Sequence, residues 1–457
     1  MAPAKVSPAW TPPLRVSREA CIQASEEIFS LPDIPLKQTE DIFRIRELEM
    51  DWDLGVRVYQ PEDDGRIPTG ADGKKVGIFL LHGGQDDWRQ MEGIALLMAA
   101  KFGHKVVVGT FPGRLYLQDS SRNWPGDTIH ADGTVRTPIW KKDELITPDQ
   151  YEVVRDVSMR MRYGTRTLAR ARPGTNFFFR MAAWPVAMEE GMKTANGRHF
   201  PEDEFSIYGQ GHSTGGPMVS MLSQRIPNVA GVLAAENSPF GYIAEQQHAW
   251  SGSLGKIEGY ERITKKPAPR KDPFNELYIR TWRDGARYAG PEALAKEGPG
   301  ALMRLPWLME EVFEKWDREK VRPRFKAEYL ITHNIADSLK QAAEVTAKRL
   351  NMGKSETETL VQRYLGYPRE LSGPGVKPVP PFLFGISKSS RDHSPEVYRE
   401  IVVPMFKAMK PAPKVDVVHF EAGVHCIWEP EVELPMGIAP AVVKSWNDAI
   451  MGGYFVV

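Results

Sequence analysis

The sequence predicts an α/β chain, built on a doubly wound, mostly parallel sheet and interrupted by large insertions, and three observations predict it. Phe205, Ile207 and Tyr208 lead as a strand into Gly211-His212-Ser213-Thr214-Gly215, and Met218, Val219, Met221, Leu222 and Ile226 follow at helical spacing. Val76 to Leu81 is a largely apolar run of buried-strand type that ends in His82-Gly83-Gly84. Val415, Val417 and Phe420 belong to a strand-like stretch that runs into Glu421-Ala422-Gly423-Val424-His425.

Along the chain, residues 1–40 carry Pro8, Pro12, Pro13, Pro32 and Pro35 around a helical stretch from Arg18 to Phe29. They read as an extension that wraps the core or shields a sheet edge. The first part of the core, 41–116, holds strands at Phe43 to Met50 and Leu54 to Tyr59, a Gly- and Asp-rich loop, and the strand before His82. It closes with Lys105 to Thr110, ended by Phe111-Pro112-Gly113-Arg114. Roughly 90 residues then separate this strand from the one before Ser213, far more than a helix and two short loops require. Residues 117–202 are therefore an insertion, rich in aromatics such as Trp124, Trp140 and Trp184 and in arginines. The core resumes over 203–240. A second insertion, 241–378, includes helical stretches such as Ala327 to Leu350 and is expected to form a mainly helical cap. The alternative is a structural layer, which leaves room for a homodimer interface. Residues 379–457 return to the core with the strand Pro381 to Ile386 and the strand before His425.

A G-x-S-x-G turn between strand and helix places a serine on a sharp, strained bend, where glycines remove side chains that would meet neighbouring backbone. A serine hydroxyl is a weak nucleophile unless an imidazole takes its proton, and a histidine just past a late strand can do that. The same glycines admit a rival reading. Gly209, Gly211 and Gly215 follow a strand and open a helix, and the apolar stretch Val229 to Ala235 ends at Glu236, as in a dinucleotide-binding unit with an acidic ribose contact. Thr214 stands where the third glycine of G-x-G-x-x-G belongs, so that spacing is not met.

With its HGG loop, GHSTGG turn and late A-G-x-H histidine in that order, the chain resembles the α/β-hydrolase fold family over roughly residues 42–116, 203–240 and 380–450. The resemblance implies a serine hydrolase with Ser213 as nucleophile and His425 as base. Its acid would be Asp392, after the strand Pro381 to Ile386, or alternatively Glu236 at the end of the strand that follows the nucleophile helix. Ser387-Lys388-Ser389-Ser390-Arg391 separate Asp392 from its strand further than the family's spacing favours, and Asp392 could equally cap the helix begun by Ser394-Pro395-Glu396. Backbone N–H groups of Thr214 and of Gly84 or Gly83 would bind the oxyanion. His82 and His212 are expected to shape the loop and the turn. The implied reaction is hydrolysis of an ester, lactone or thioester of a small apolar or aromatic substrate through an acyl-enzyme, with no cofactor. The fold also serves carbon–carbon bond and amide hydrolases and noncatalytic binding proteins, and a nicotinamide-dependent enzyme is the reading from the glycines.

Composition agrees with a globular enzyme. The 457 residues are 42% hydrophobic and 26% charged with no formal net charge, which supports a large core and argues against nucleic-acid or anionic-membrane binding. Two cysteines, Cys21 and Cys426, are too few for a disulfide framework, and no H-E-x-x-H or C-x-x-C metal motif occurs. Gly353-Lys354-Ser355 ends like a phosphate loop, but Lys348 stands where its first glycine should be. The start Met1-Ala2-Pro3-Ala4-Lys5 lacks a secretory pattern, so a cytoplasmic location is expected.

Overall fold

The computed structural model describes residues 10–47, 50–83, 88–110, 149, 151–158, 165–171, 176–213, 215–223, 225–237, 327–331, 344, 347–348, 351–359, 377–390, 398–399, 403–407 and 411–457. Within them, nine strands form one sheet in the order β1-β12-β11-β9-β8-β4-β5-β3-β2. The strands are β1 (Arg15–Val16), β2 (Leu36–Glu47), β3 (Met50–Pro61), β4 (Lys75–Leu81), β5 (Lys105–Gly109), β8 (Phe205–Gly211), β9 (Val229–Ala235), β11 (Phe382–Ile386) and β12 (Val415–Phe420). All pairings from β5 across to β1 are parallel, and the two pairings at the far edge, β5 with β3 and β3 with β2, are antiparallel, so that β3 alone runs against the other strands. A doubly wound, mostly parallel sheet is therefore the architecture.

The central strands are apolar because both of their faces are covered: every residue of β8 and β11 is buried, and so is all of β4 after Lys75. On one face lie α1 (Arg18–Ser30), α2 (Glu92–Leu96, continued by a π-helical turn over Leu97–Lys101) and α6 (Ala439–Met451). Cys21, Ile28, Met98, Val442 and Trp446 from these helices share one core with Ile78, Leu80, Val106, Leu233 and Val418 of the sheet. On the other face, α3 (Asn176–His199) packs on β2, β3 and β5, and α4 (Gly215–Leu222) packs on β8. Close approach of α3 depends on Gly191, where a Cβ would fall 2.2 Å from Leu54 Cδ2. Phe406 of α5 (Val403–Lys407) meets Phe382 at 4.7 Å between ring centroids.

The N-terminal segment covers an edge, as its proline-rich composition suggests. β1 adds to β12, Ser17 caps α1 through the Ala20 N–H, and α1 packs on α6. The hairpin is longer than the apolar pattern implies, since β2 begins at Leu36 within the 1–40 segment and β3 runs to Pro61. Most of β2 from Lys37 to Asp41 is polar, so alternation is thin there, and pairing with β3 holds the strand instead.

One expectation is corrected in the second insertion. Ala327–Ile331 forms strand β10 rather than helix, parallel to β7 (Thr165–Ala171), which pairs antiparallel with β6 (Tyr151–Ser158) in a separate three-stranded sheet. Alanine and leucine content suggests a helix in this stretch, and non-local pairing overrides it. Likewise α3, which lies within 117–202, is part of the core layer. Residues 111–148 and 238–326, which carry much of both expected insertions and most of the expected cap, lie outside the described residues.

Candidate active site

Chain order switches direction around β4. The chain passes from β4 to β5 on one side, and its later strand β8 pairs on the other side of β4. Crevices of doubly wound sheets open at the C-terminal ends of strands beside such a switch. His82 and Gly83 leave β4 there, and His212 and Ser213 leave β8 beside them.

The turn at Ser213 is stitched to the strands on either side. His212 N–H donates to the Leu81 carbonyl at the end of β4 (2.9 Å), and Ser213 N–H donates to the Glu236 carbonyl just past β9 (2.9 Å). Gly215 N–H closes the bend onto the His212 carbonyl at 2.8 Å. Ser213 itself sits at φ 51°, a left-handed conformation that costs a non-glycine residue roughly 1–2 kcal/mol. The glycines around it are required by space: a Cβ on Gly211 would fall 2.1 Å from the Gly215 carbonyl oxygen, and one on Gly215 would fall 2.5 Å from that of His82. Below the turn, the buried Gln210 side chain substitutes for a ladder rung. Its amide donates to the Ala235 carbonyl and accepts from the Ala235 N–H, past the last β8–β9 pair, Gly209 with Val232.

β9 is followed by a second left-handed residue, Glu236 at φ 49°. Its carboxyl group is buried, and four donors surround it. Oε1 accepts from the Ser387 N–H (2.7 Å) and the Ser387 hydroxyl (2.8 Å), while Oε2 accepts from the Ser390 hydroxyl (2.8 Å) and from His425 Nδ1 (3.0 Å). Both oxygens are thus satisfied, which a buried carboxylate needs to escape a large desolvation cost. Because Nδ1–H donates to a carboxylate, the remaining ring nitrogen of a neutral His425 is the acceptor, Nε2. The His425 ring lies 4.6 Å from that of His212, which meets Trp428 edge-on at 4.7 Å.

The loop after β4 is pinned as well. His82 Nδ1–H donates to the Gly83 carbonyl at 2.6 Å, and the Gly83 N–H donates to Gln90 Oε1 at 2.6 Å. A Cβ on Gly83 would lie 3.2 Å from His212 Cδ2 and 3.5 Å from Ser213 Cβ, so this glycine borders the serine.

Of the residues expected from sequence, Ser213, Glu236, His425 and Gly83 converge at one end of the sheet, while Thr214, Gly84 and Asp392 lie outside the described residues. A strand-ending serine on a left-handed bend, a histidine just past the last strand and a parallel sheet with an antiparallel edge define the architecture. The chain has the α/β-hydrolase fold. No family model matches the chain, and no curated protein matches its sequence. Among solved structures it is similar to a lipase in its open form (11% identity over 90% of this chain and 99% of that one, TM-score 0.37). It is also similar to a putative hydrolase from Legionella pneumophila (15% identity, 96% and 95% coverage, TM-score 0.38). A third is Est1E from Butyrivibrio proteoclasticus (12% identity, 90% and 98% coverage, TM-score 0.34).

Sequence reasoning did not single out Ser387, Ser390, Gln90 or Trp428. A signal for the first two existed: three serines in the stretch 387–390 occupy the place where the family pattern leads one to look for a carboxylate. Gln90 gave none, because its partner is a backbone amide seven residues away. Among the described residues no cluster of three or more His, Cys, Asp or Glu could hold a metal ion, and no helix is long and apolar enough to cross a membrane.

Proposed function

We propose that the protein is a serine hydrolase that cleaves an ester, lactone or thioester of a small apolar or aromatic substrate, with Ser213 as nucleophile, His425 as base and Glu236 as the acid. One observation carries this reading. The carboxylate that accepts from His425 Nδ1 belongs to the residue whose carbonyl accepts the Ser213 N–H, so nucleophile and base are referred to the same strand end.

In the acylation step, Ser213 Oγ attacks the acyl carbon while His425 Nε2 takes the hydroxyl proton. Glu236 holds the ring with Nδ1–H inward and stabilises the imidazolium that forms, without taking the proton itself. The tetrahedral oxyanion is met by backbone N–H groups of Thr214 and of the His82-Gly83-Gly84 loop, each such donor being worth roughly 10² to 10³ in rate. As the intermediate collapses, His425 returns its proton to the leaving oxygen or sulfur. Water then repeats the sequence on the acyl-serine, releasing the acid and restoring Ser213.

The dinucleotide alternative fares worse. A ribose-binding acid must present its oxygens to a ligand, whereas those of Glu236 are taken by Ser387, Ser390 and His425. A cytoplasmic setting and a small-molecule substrate belong to the same proposal.

Fluorophosphonate labelling with peptide mapping tests it. A single adduct on Ser213, absent from Ser213→Ala and lost in His425→Ala, is the expected result, with p-nitrophenyl esters as the first turnover substrates. A folded wild-type protein that takes up no probe and turns over no ester would overturn the proposal.

A further inference from the structure

Resting on the hydrolase reading, we infer that Gln90 is a positioning residue of the oxyanion hole: its side-chain carbonyl holds the Gly83 peptide against Ser213 and takes the Gly83 N–H out of oxyanion binding. The sequence leaves two glycines of the loop as donors, Gly83 and Gly84. In the structure the Gly83 N–H is committed to Gln90 Oε1 at 2.6 Å, short for an N–H···O bond. The Gly83 carbonyl is committed on its other side to His82 Nδ1, also at 2.6 Å. With the Gly83 N–H engaged by Gln90 and the Gly83 carbonyl by His82, the 82–83 peptide cannot turn that N–H toward an oxyanion without breaking the bond to Gln90.

Gln90 is a firm anchor because its own turn is held in place. It belongs to the 3₁₀ turn Trp88–Met91, in which Met91 is fully buried and the Trp88 ring lies 4.4 Å under the Arg57 guanidinium. The next residue, Glu92, accepts from the Tyr59 hydroxyl at 3.1 Å. The Gly83–Gln90 bond therefore ties the exit of β4 to a rigid turn across six intervening residues, 84–89, and it does so next to the nucleophile. Catalysis by an oxyanion hole depends on donors being fixed before charge develops, so a residue that fixes their loop acts on turnover more than on ground-state binding.

The test compares Gln90→Ala, Gln90→Met and Gln90→Glu with wild type on a p-nitrophenyl ester, together with second-order rates of fluorophosphonate labelling and thermal melting. We expect Ala and Met, which lack the acceptor, to lower kcat and the labelling rate by about ten- to a hundredfold with KM changed less than about threefold. Glu retains a carbonyl-type acceptor and should recover most of both rates. Rates at or above wild type in Gln90→Ala would overturn the inference, by showing that freeing the Gly83 N–H improves the hole. A lowered melting temperature with unchanged kcat, a rise confined to KM, or a Glu variant as impaired as Ala while still folded would overturn it too. Absence of a Ser213 adduct in wild type would defeat the hydrolase reading itself, whereas a wild-type adduct with an unaffected Gln90→Ala defeats only the role of Gln90.

Discussion

The loops that follow β9 and β11 face the same histidine with opposite chemistry. The first supplies one carboxylate, Glu236, on a left-handed residue at φ 49°. The second, Ser387 to Ser390, supplies two hydroxyls and a backbone N–H that all point at that carboxylate. It also runs beside the segment carrying His425, with the Lys388 and Ser389 N–H groups donating to the Ala422 and Gly423 carbonyls. The difference teaches that contact with His425, and not place in the chain order, is what singles out Glu236 as the acid in the proposed mechanism. One loop holds the charge, and its neighbour holds the charged group still.

The sharpest way to break this comparison is to remove the charge. Glu236→Gln keeps the shape but offers an N–H or a weaker acceptor to Nδ1, so the base is held in the wrong tautomer, and kcat should fall about 10⁴-fold. Steady-state kinetics on whichever ester the wild type hydrolyses would measure it. A loss under tenfold would mean that Glu236 is a structural carboxylate and that another residue orients His425.

A second buried histidine gives a control with an amide in place of the carboxylate. His104 is fully buried and stacked on Phe102, and its Nε2 contacts Asn447 Oδ1 at 3.0 Å. Burial pushes it down to about 4, the bond to Asn447 opposing only in part. The unfolded chain takes up this proton below about pH 6.5 and the folded chain only below about 4, so the contribution is full above 6.5 and lost as the pH falls through that window. Between pH 7 and 5 this predicts a loss of about 2 kcal/mol of unfolding free energy that His104→Gln should not show. Urea titrations of both proteins at the two pH values give the difference, and equal losses in the two would refute it.

The supporting loop should matter less than the charge. In Ser387→Ala with Ser390→Ala, Glu236 loses two of its four side-chain and backbone donors but retains the Ser387 N–H and His425. We expect kcat to drop about tenfold with KM nearly unchanged, because the two remaining donors still hold the carboxylate, and Ser387→Thr, which keeps the hydroxyl, to stay near wild type. A tenfold rise in KM alone would place these serines at the substrate instead.

How much of this was legible follows from locality. Glycines at 211 and 215, an apolar strand before them and a helical repeat after them are contiguous, and the strained bend they encode is what the structure contains. The histidine past β12 and the HGG exit of β4 are equally local. What the sequence left open was set by contacts between distant segments: the choice of acid depends on which strand end meets His425, and Glu236 and His425 are 189 residues apart. Helix α3 was obscured for another reason. Pro185 lies within it, and proline is a strong stop signal unless packing against the sheet compensates.

The smallest expected effect is the most discriminating one. Asp392 follows the strand that precedes the histidine strand, which made it the acid that chain order favours, and the same position suits a helix N-cap before Ser394-Pro395-Glu396. With both Glu236 oxygens already bonded and His425 Nδ1 taken, a second carboxylate has no ring N–H left to orient. Asp392→Asn, which keeps most capping ability, should therefore change kcat by less than about threefold, against the roughly 10⁴-fold cost at Glu236. Measured side by side on one substrate, the two amide variants rank the loops directly. A large loss at Asp392 with a small one at Glu236 would exchange their roles, making the carboxylate after β9 the support and the residue after β11 the acid.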